Sequence, residues 1–480
     1  MADAVFLGQG SGREELLLAM ANRHGLITGA TGTGKTVTLQ IMAEGFSAAG
    51  VPVFAADVKG DLAGIAMAGV AQEVLVERAR KMGFEDYGFA ATPTIFWDLF
   101  GVQGHPVRTT ISEMGPLMLS RLMGLSDAQE GALNIAFRLA DEEGLGLLDL
   151  KDLRALLKDL AQRGKALSTE YGNLAPATIG AIQRRLVVLE EQGGEAFFGE
   201  PALDLRDFMR TTPDGRGYMN VLAADRLISA PQLYATFLLW MMSELFENMP
   251  EVGDAARPKM VFFFDEAHLL FADAPPALIQ KIEQTVKLIR SKGVGIYFVT
   301  QNPLDIPESV LAQMGNRVQH ALRAYTPREQ KAVAVAASTF RPNPAFSTEQ
   351  AITELAKGEA LVSVLDAKGV PTMVERTMIR PPSSRMGPLS AEERRSIIAD
   401  SPVRGVYDQP KDRESAYEIL ARRAATAERE ATGKTAPAPK PARVSTRETA
   451  TDRFVKNLAG TAGRQIGNMI IRGILGSLKR

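Results

Sequence analysis

Eight consecutive residues, Gly29-Ala30-Thr31-Gly32-Thr33-Gly34-Lys35-Thr36, satisfy the spacing G-x-x-x-x-G-K-[ST] at every fixed position. Glycines at Gly29, Gly32 and Gly34 let the backbone take φ > 0, so successive N–H groups can converge on a phosphate. Lys35 brings a point charge for the β- and γ-oxygens of a nucleotide, and the Thr36 hydroxyl suits Mg²⁺. The cradle read this way runs from Gly29 to Val37 and implies ATP and Mg²⁺ as its ligands.

A second constellation lies far along the chain. Met260-Val261-Phe262-Phe263-Phe264 is an apolar run that feeds Asp265 and Glu266. A buried strand delivers carboxylates in this manner. Asp265 is expected to hold the metal and Glu266 to polarise the attacking water. A further strand, Gly295 to Val299, ends in Thr300-Gln301-Asn302-Pro303. The amide of Gln301 is expected beside the γ-phosphate, orienting water or reporting hydrolysis.

These groups need elements to position them. His24 to Thr28 reads as a short buried strand, and Thr36 to Ala49 as a helix stopped by Gly50. Val51 to Val58 reads as a strand whose carboxyl end carries Asp57, Lys59 and Asp61, and ligands of open α/β sheets bind beyond such ends. From Phe100 to Phe208 the pattern is helical, with segments at Glu113–Leu125, Asp127–Glu142, Leu150–Gln162 and Thr178–Gln192. Ser126 with Gln129, and Thr326-Pro327 with Glu329, read as helix caps. Strand patterns return at Gly217–Ala223, Lys259–Asp265, Gly293–Thr300, Arg317–Ala324, Glu359–Leu365 and Val370–Met378. The alternation predicts an α/β fold with a mostly parallel sheet and helices on both faces. Leu227 to Ser243 is too short to span a membrane and reads as a buried helix.

The expected organisation is a nucleotide-binding core in two parts, 1–99 and 209–380, separated by a helical insertion at 100–208. A helical extension follows at 381–432, then a Pro/Ala linker at 433–447 and a tail at 448–480. In the tail Phe454, Leu458, Ala462, Ile466, Ile470, Ile474 and Leu478 form one apolar stripe beside basic residues. Such a helix fits an anionic membrane surface, a partner, a sister subunit or the chain's own body.

The chain has 480 residues, Lys+Arg 55 against Asp+Glu 56, a formal charge of -1 and no cysteine. No global basic excess announces nucleic acid, so any such binding needs a local stripe or a pore. Disulfides and thiol chemistry are excluded, and no secretory signal is visible at Met1 to Val5. The expected location is cytoplasmic, peripheral to a membrane if the tail binds lipid. His24, His105, His268 and His320 show no metal spacing, so zinc is not expected.

The spelling Asp265-Glu266-Ala267-His268 invites comparison with DEAH-box helicases, but their Ser-Ala-Thr element and arginine-glycine-rich last motif are not visible. The phosphate loop, the distant acid pair, the lead-in Arg290-Ser291-Lys292-Gly293-Val294-Gly295 and the strand ending in Thr300-Gln301 instead resemble the HerA/FtsK group of ring-forming ATPases. More closely, Ala21 to Gly29, Val261 to Leu270 and Gly315 to Ala324 resemble the bacterial YjgR-type HerA-like proteins. The resemblance implies a RecA-like P-loop NTPase core, ATP hydrolysis at subunit interfaces, a homo-oligomer with a hexamer favoured, and DNA as a candidate partner. It also implies that Arg290 acts as a finger on a neighbour's γ-phosphate, with Arg317 and Arg323 as rivals. One departure stands out: HerA carries a β-barrel ahead of its phosphate loop, and the 28 residues before Gly29 are too few for one. A competing expectation is therefore an ATP-dependent switch or scaffold that acts on a protein or membrane partner without moving DNA. Transfer of phosphate to a small metabolite is disfavoured, because Glu266 would activate water and waste ATP.

Overall fold

The computed structural model describes residues 3–433 except 173, 254 and 272–275. The linker beyond residue 433 and the amphipathic tail lie outside the described residues. The chain divides into two compact units, 1–422 and 423–480. Strands of the first unit are β1 (Ala4–Gln9), β2 (Arg13–Leu17), β3 (Gly25–Thr28), β4 (Val53–Asp57), β5 (Thr94–Asp98) and β6 (His105–Pro106). They continue with β7 (Met219–Ala223), β8 (Met260–Phe264), β9 (Val294–Thr300), β10 (Asn316–Gln319), β11 (Glu359–Ser363) and β12 (Glu375–Ile379). Among the described residues they make one sheet in the order β2-β1-β12-β11-β10-β3-β9-β8-β4-β7-β5-β6. From β10 to β6 every pairing is parallel, whereas β2, β1, β12, β11 and β10 pair antiparallel.

Alternation along each strand explains why both faces need helices. Phe54, Ala56, Phe262 and Phe264 enter one apolar cluster, while Val53, Ala55, Val261 and Phe263 enter the other. The second face is covered by α1 (Lys35–Ala48), and α2 (Glu73–Lys81) follows β4 in the chain. The first face carries α3 (Ile111–Met123), α4 (Asp127–Glu142), α5 (Leu150–Tyr171), α6 (Pro176–Glu191), the single turn α7 (Gly194–Phe197), α8 (Pro231–Asn248) and α9 (Pro276–Ile289). The helical stretch between β6 and β7 is continuous with the core, since Leu119, Leu133, Leu153 and Ile182 share one cluster with Trp97 and Phe237. Phe237, Leu238, Trp240 and Met241 of α8 are buried as expected.

The single turn α10 (Glu308–Leu311) precedes β10; α11 (Pro327–Ser338) and α12 (Thr348–Glu354) follow it and pack a third, smaller cluster. Beyond the sheet lie α13 (Ala391–Ala399) and α14 (Ala416–Gly433), whose last turns fall in the second unit. Both anticipated caps form: Ser126 N–H donates to Gln129 Oε1 at 3.0 Å, and Thr326 N–H to Glu329 Oε2 at 2.8 Å.

Several boundaries differ from expectation. Strands β1, β2, β5 and β6 were not expected, and β6 lies inside the stretch read as helical. The strand expected at Val370–Met378 begins only at Glu375, because its partners are β11 and β1, with Gly8 beside Ile379. Helix α5 runs to Tyr171, past Gly164. One interior glycine costs about 1 kcal/mol, less than the apolar face recovers by packing.

His24 precedes β3 with φ 57 and ψ 169, a positive-φ conformation that residues with side chains rarely adopt. Its Nδ1 accepts the Ile296 N–H at 3.0 Å, and burial pushes its pKa down from 6.5 to about 4. The unfolded chain therefore takes up this proton near pH 6.5 and the folded chain only near pH 4. Stability contributed by the neutral ring is complete above pH 6.5 and falls through that window by about 1.4 kcal/mol per pH unit. His24→Asn supplies an oxygen acceptor and does not titrate. The stability gap between wild type and this variant should narrow by about 2 kcal/mol from pH 6.5 to pH 5 in denaturant unfolding. A gap unchanged over that range would contradict the assignment of a neutral ring.

Candidate functional site

Parallel register brings the separated motifs to one edge. Thr28 pairs with Thr300, and Phe264 with Phe298. Gly29, Gln301 and the Asp265-Glu266 pair therefore emerge together at the carboxyl ends of β3, β9 and β8, the edge where open α/β sheets place ligands.

The loop from Gly29 to Gly34 has the shape its glycines allow. Gly29, Gly32 and Gly34 take φ of 154°, 77° and 120°. A Cβ at Gly32 would meet nothing within 4 Å, so its approach from solvent is open. The loop is braced from behind: Ala30 N–H donates to Ala321 O at 2.8 Å, Thr33 Oγ1 to Ala30 O at 2.7 Å, and Gly358 N–H to Thr33 O at 3.1 Å. Lys35 curls into the loop, its Nζ donating to Gly29 O at 2.7 Å and Ala30 O at 3.1 Å. Burial lowers the pKa of this ammonium, and the charges of Glu266 and Asp265 work against that shift. Thr36 is the second residue of α1, with its Oγ1 3.4 Å from Asp61 Oδ2, and Val37 follows, half-buried.

Glu266 stands at φ 47, just past β8, a strained conformation for a residue with a side chain. Its backbone N–H donates to Asp265 Oδ1 at 2.9 Å. Burial would raise the Glu266 carboxyl, but hydrogen bonds from Lys59 and Gln301 outweigh it and leave the pKa below the usual value. Gln301 Nε2 reaches Oε1 at 3.0 Å and Oε2 at 3.2 Å, while its own Oε1 accepts from Thr31 Oγ1 at 3.1 Å. Thr31, Gln301, Glu266 and Lys59 thus form a chain of contacts from the tip of the phosphate loop to the end of β4. Asp265, by contrast, is pushed up to about 7, first by burial and then by its neighbour Glu266. A cation beside it would restore the carboxylate.

The donors fit Mg²⁺. Thr36 Oγ1, Asp265 and Asp61 are hard oxygen groups, and Asp61 Oδ1 is buried without a hydrogen-bond partner. Among the described residues no three His, Asp or Glu side chains form a cage.

The arginines separate by position. Arg290 precedes β9 and so lies at the opposite edge of the sheet from the phosphate loop, about seven strand residues or ~23 Å away. It cannot reach the cradle of its own chain. Arg317 sits within β10 and donates to Met314 O at 3.1 Å and Leu311 O at 2.9 Å. Arg323 is exposed beyond the end of β10, at the same edge as the loop.

Lys59 and His320 are site residues whose roles sequence reasoning missed. Charge at the end of β4 pointed to the region, but nothing local marks the pairing of Lys59 with Glu266. His320 lay within a recognised stretch and was weighed only as a zinc ligand.

The sequence model of the helicase HerA-like C-terminal family matches residues 5–480. The chain belongs to this family. Among solved structures, the bacterial conjugative coupling protein TrwB in its unbound form is similar with a TM-score of 0.51 at 15% identity, covering 81% of this chain and 91% of that one. TrwB in complex with the non-hydrolysable ATP analogue ADPNP gives 0.51 at 14% identity, covering 82% and 92%. VirB4 of Thermoanaerobacter pseudethanolicus gives 0.47 at 16% identity, covering 79% and 97%. No curated protein matches. At such identities the likeness to TrwB shows the fold alone: a RecA-like P-loop ATPase core on a mostly parallel sheet. No helix among the described residues of this HerA-like chain is long and apolar enough to cross a membrane.

Proposed function

We propose that this chain binds ATP with Mg²⁺ and hydrolyses it to ADP and phosphate. The observation that carries the reading is the contact chain from Thr31 through Gln301 to Glu266 and Lys59, set beside the glycine cradle. Main-chain N–H groups of the Gly29–Val37 cradle, apart from that of Ala30, which is bonded to Ala321 O, and the Lys35 ammonium hold the phosphates. Thr36 and Asp265 would hold Mg²⁺, which when bound would supply positive charge to the phosphates. Glu266, kept ionised by Lys59 and Gln301, takes a proton from water as the water oxygen bonds to the γ-phosphorus and the bond to ADP breaks. Gln301 touches both the loop and the base, so it registers whether the γ-phosphate is present.

Because Arg290 lies at the opposite edge of the sheet from its own cradle, its proposed role is in a neighbour's site, within a ring for which six copies are favoured. Arg323 is the rival for that role. Family membership and the fold shared with a conjugative coupling protein support DNA as the polymer moved. The near-neutral composition gives that part no independent support, and a switch acting on a protein or membrane partner from the cytoplasm is the competing outcome. The test is the ATPase rate with and without single- and double-stranded DNA, alongside the mass of the assembly. Stimulation that falls with salt, from a hexamer-sized particle, is the expected result. ATPase activity indifferent to DNA at low salt would remove the translocase reading and leave the switch.

Lys59→Met tests the support of the base. It should lower kcat by about tenfold, since an unheld Glu266 loses its orientation toward water. An unchanged kcat would show that Glu266 does not depend on this contact.

A further inference from the structure

His320 lies beneath the phosphate loop and takes no part in the reaction as proposed. It directly follows β10, whose Gln319 pairs with Thr28. Its own N–H donates to Thr28 O at 2.7 Å, and the next carbonyl, Ala321 O, receives the N–H of Ala30. The chain after β10 therefore runs along the first residues of the cradle.

The side chain then passes under the loop. A Cβ at Gly29 would stand 2.5 Å from His320 Cβ, and one at Gly34 would stand 3.3 Å from His320 Cε1. Both ends of the loop thus rest on this residue, which is 0% exposed. Nδ1 lies 3.0 Å from Glu359 O, and Nε2 lies 2.8 Å from Thr38 Oγ1. A carbonyl can only accept, so Nδ1 carries the hydrogen, and in the neutral ring Nε2 accepts from the Thr38 hydroxyl. Burial pushes the pKa of the ring down to about 4, and the Lys35 charge adds to that effect. Gly358, the residue before Glu359, donates to Thr33 O. One turn therefore grips both the loop and the ring.

We propose that His320 is a positioning residue for the phosphate loop: its neutral ring ties the first turn of α1 to the Gly358–Glu359 turn and fixes the loop at the curvature that aims its N–H groups at a phosphate. The inference rests on the nucleotide reading above. Loss of that curvature weakens the grip on phosphate in ground and transition states alike, so it raises KM with little change in kcat.

The experiment uses the full chain with His320→Ala, His320→Asn and Thr38→Val, measuring MgADP binding by calorimetry and ATP turnover at steady state. His320→Ala should weaken MgADP binding about tenfold or more and raise KM to match, with kcat within about threefold. His320→Asn, whose amide can keep the donation to Glu359 O, should recover part of the loss. Thr38→Val keeps the ring but removes the hydroxyl; it should show a smaller loss, and it carries the test if the alanine variant does not fold. Folded variants with lower melting temperatures but wild-type MgADP affinity and KM would overturn the proposal and leave His320 a packing residue. Wild-type protein that binds MgADP without hydrolysing ATP would overturn the hydrolysis reading, while an affinity loss in His320→Ala would still support this one. Wild-type protein that takes up no nucleotide would overturn both.

Discussion

Glu266→Gln should lower ATP turnover by about 10²-fold or more while nucleotide binding stays within a few fold of wild type. The amide has nearly the size and shape of the carboxylate, so it can still accept from Lys59 and stay beside Gln301, but it cannot accept a proton from water. The cradle is untouched by the change, because Lys35 is anchored on Gly29 O and Ala30 O and the loop is braced from Ala321 and Gly358. The position is informative because Glu266 is 4% exposed, so bulk water cannot easily substitute for it. Steady-state turnover and calorimetric affinity, measured on the same preparation, separate the two effects. Near-native turnover in this variant would remove the assigned base.

Lys35→Ala should do the reverse, weakening MgATP binding by about a hundredfold while leaving the fold intact. Charge-assisted hydrogen bonds to phosphate contribute about 1.5–3 kcal/mol each, and Lys35 is the ammonium placed to form them. The residue is 7% exposed, and burial already disfavours its charge. Removing it also removes a desolvation cost, and alanine is the best helix former for the start of α1. The melting temperature should therefore hold or rise as affinity falls. A variant that keeps wild-type affinity would show that the phosphates are not held here.

What could be read from the sequence divides by range. The cradle is contiguous, and its strand, loop and helix are specified within Gly25 to Ala48, so local residue types sufficed. The acid pair was legible because five apolar residues before Asp265, three of them Phe, fit a short buried strand, and Gln301 because it ends the next one. The mostly parallel sheet followed from the alternation of strand and helix patterns. The outer strands were not legible. Residues Arg13 to Leu17 mix charges with leucines, and β1 is completed by β12, whose Ile379 sits beside Gly8. The Thr94–Asp98 strand is short and is defined by its neighbour β7 rather than by a local pattern.

The same limit applied within the site. Lys59 meets Glu266 across 207 residues, and Thr38 meets His320 across 282. A lysine after a strand or a histidine in an apolar context reads as surface or core until the partner is known. The arginines show the converse: the resemblance put Arg290 first with Arg317 and Arg323 as rivals, and the fold separates them by placing Arg290 before β9, Arg317 within β10 and Arg323 beyond its end.

Titration of the well-folded full chain with MgATP in a calorimeter tests the central claim most directly. Saturable uptake of nucleotide, with a dissociation constant in the micromolar to millimolar range and strongly weakened in Lys35→Ala, is the predicted result. Folded protein that releases no heat of binding with either MgATP or MgADP, and protects neither from competition, would contradict it.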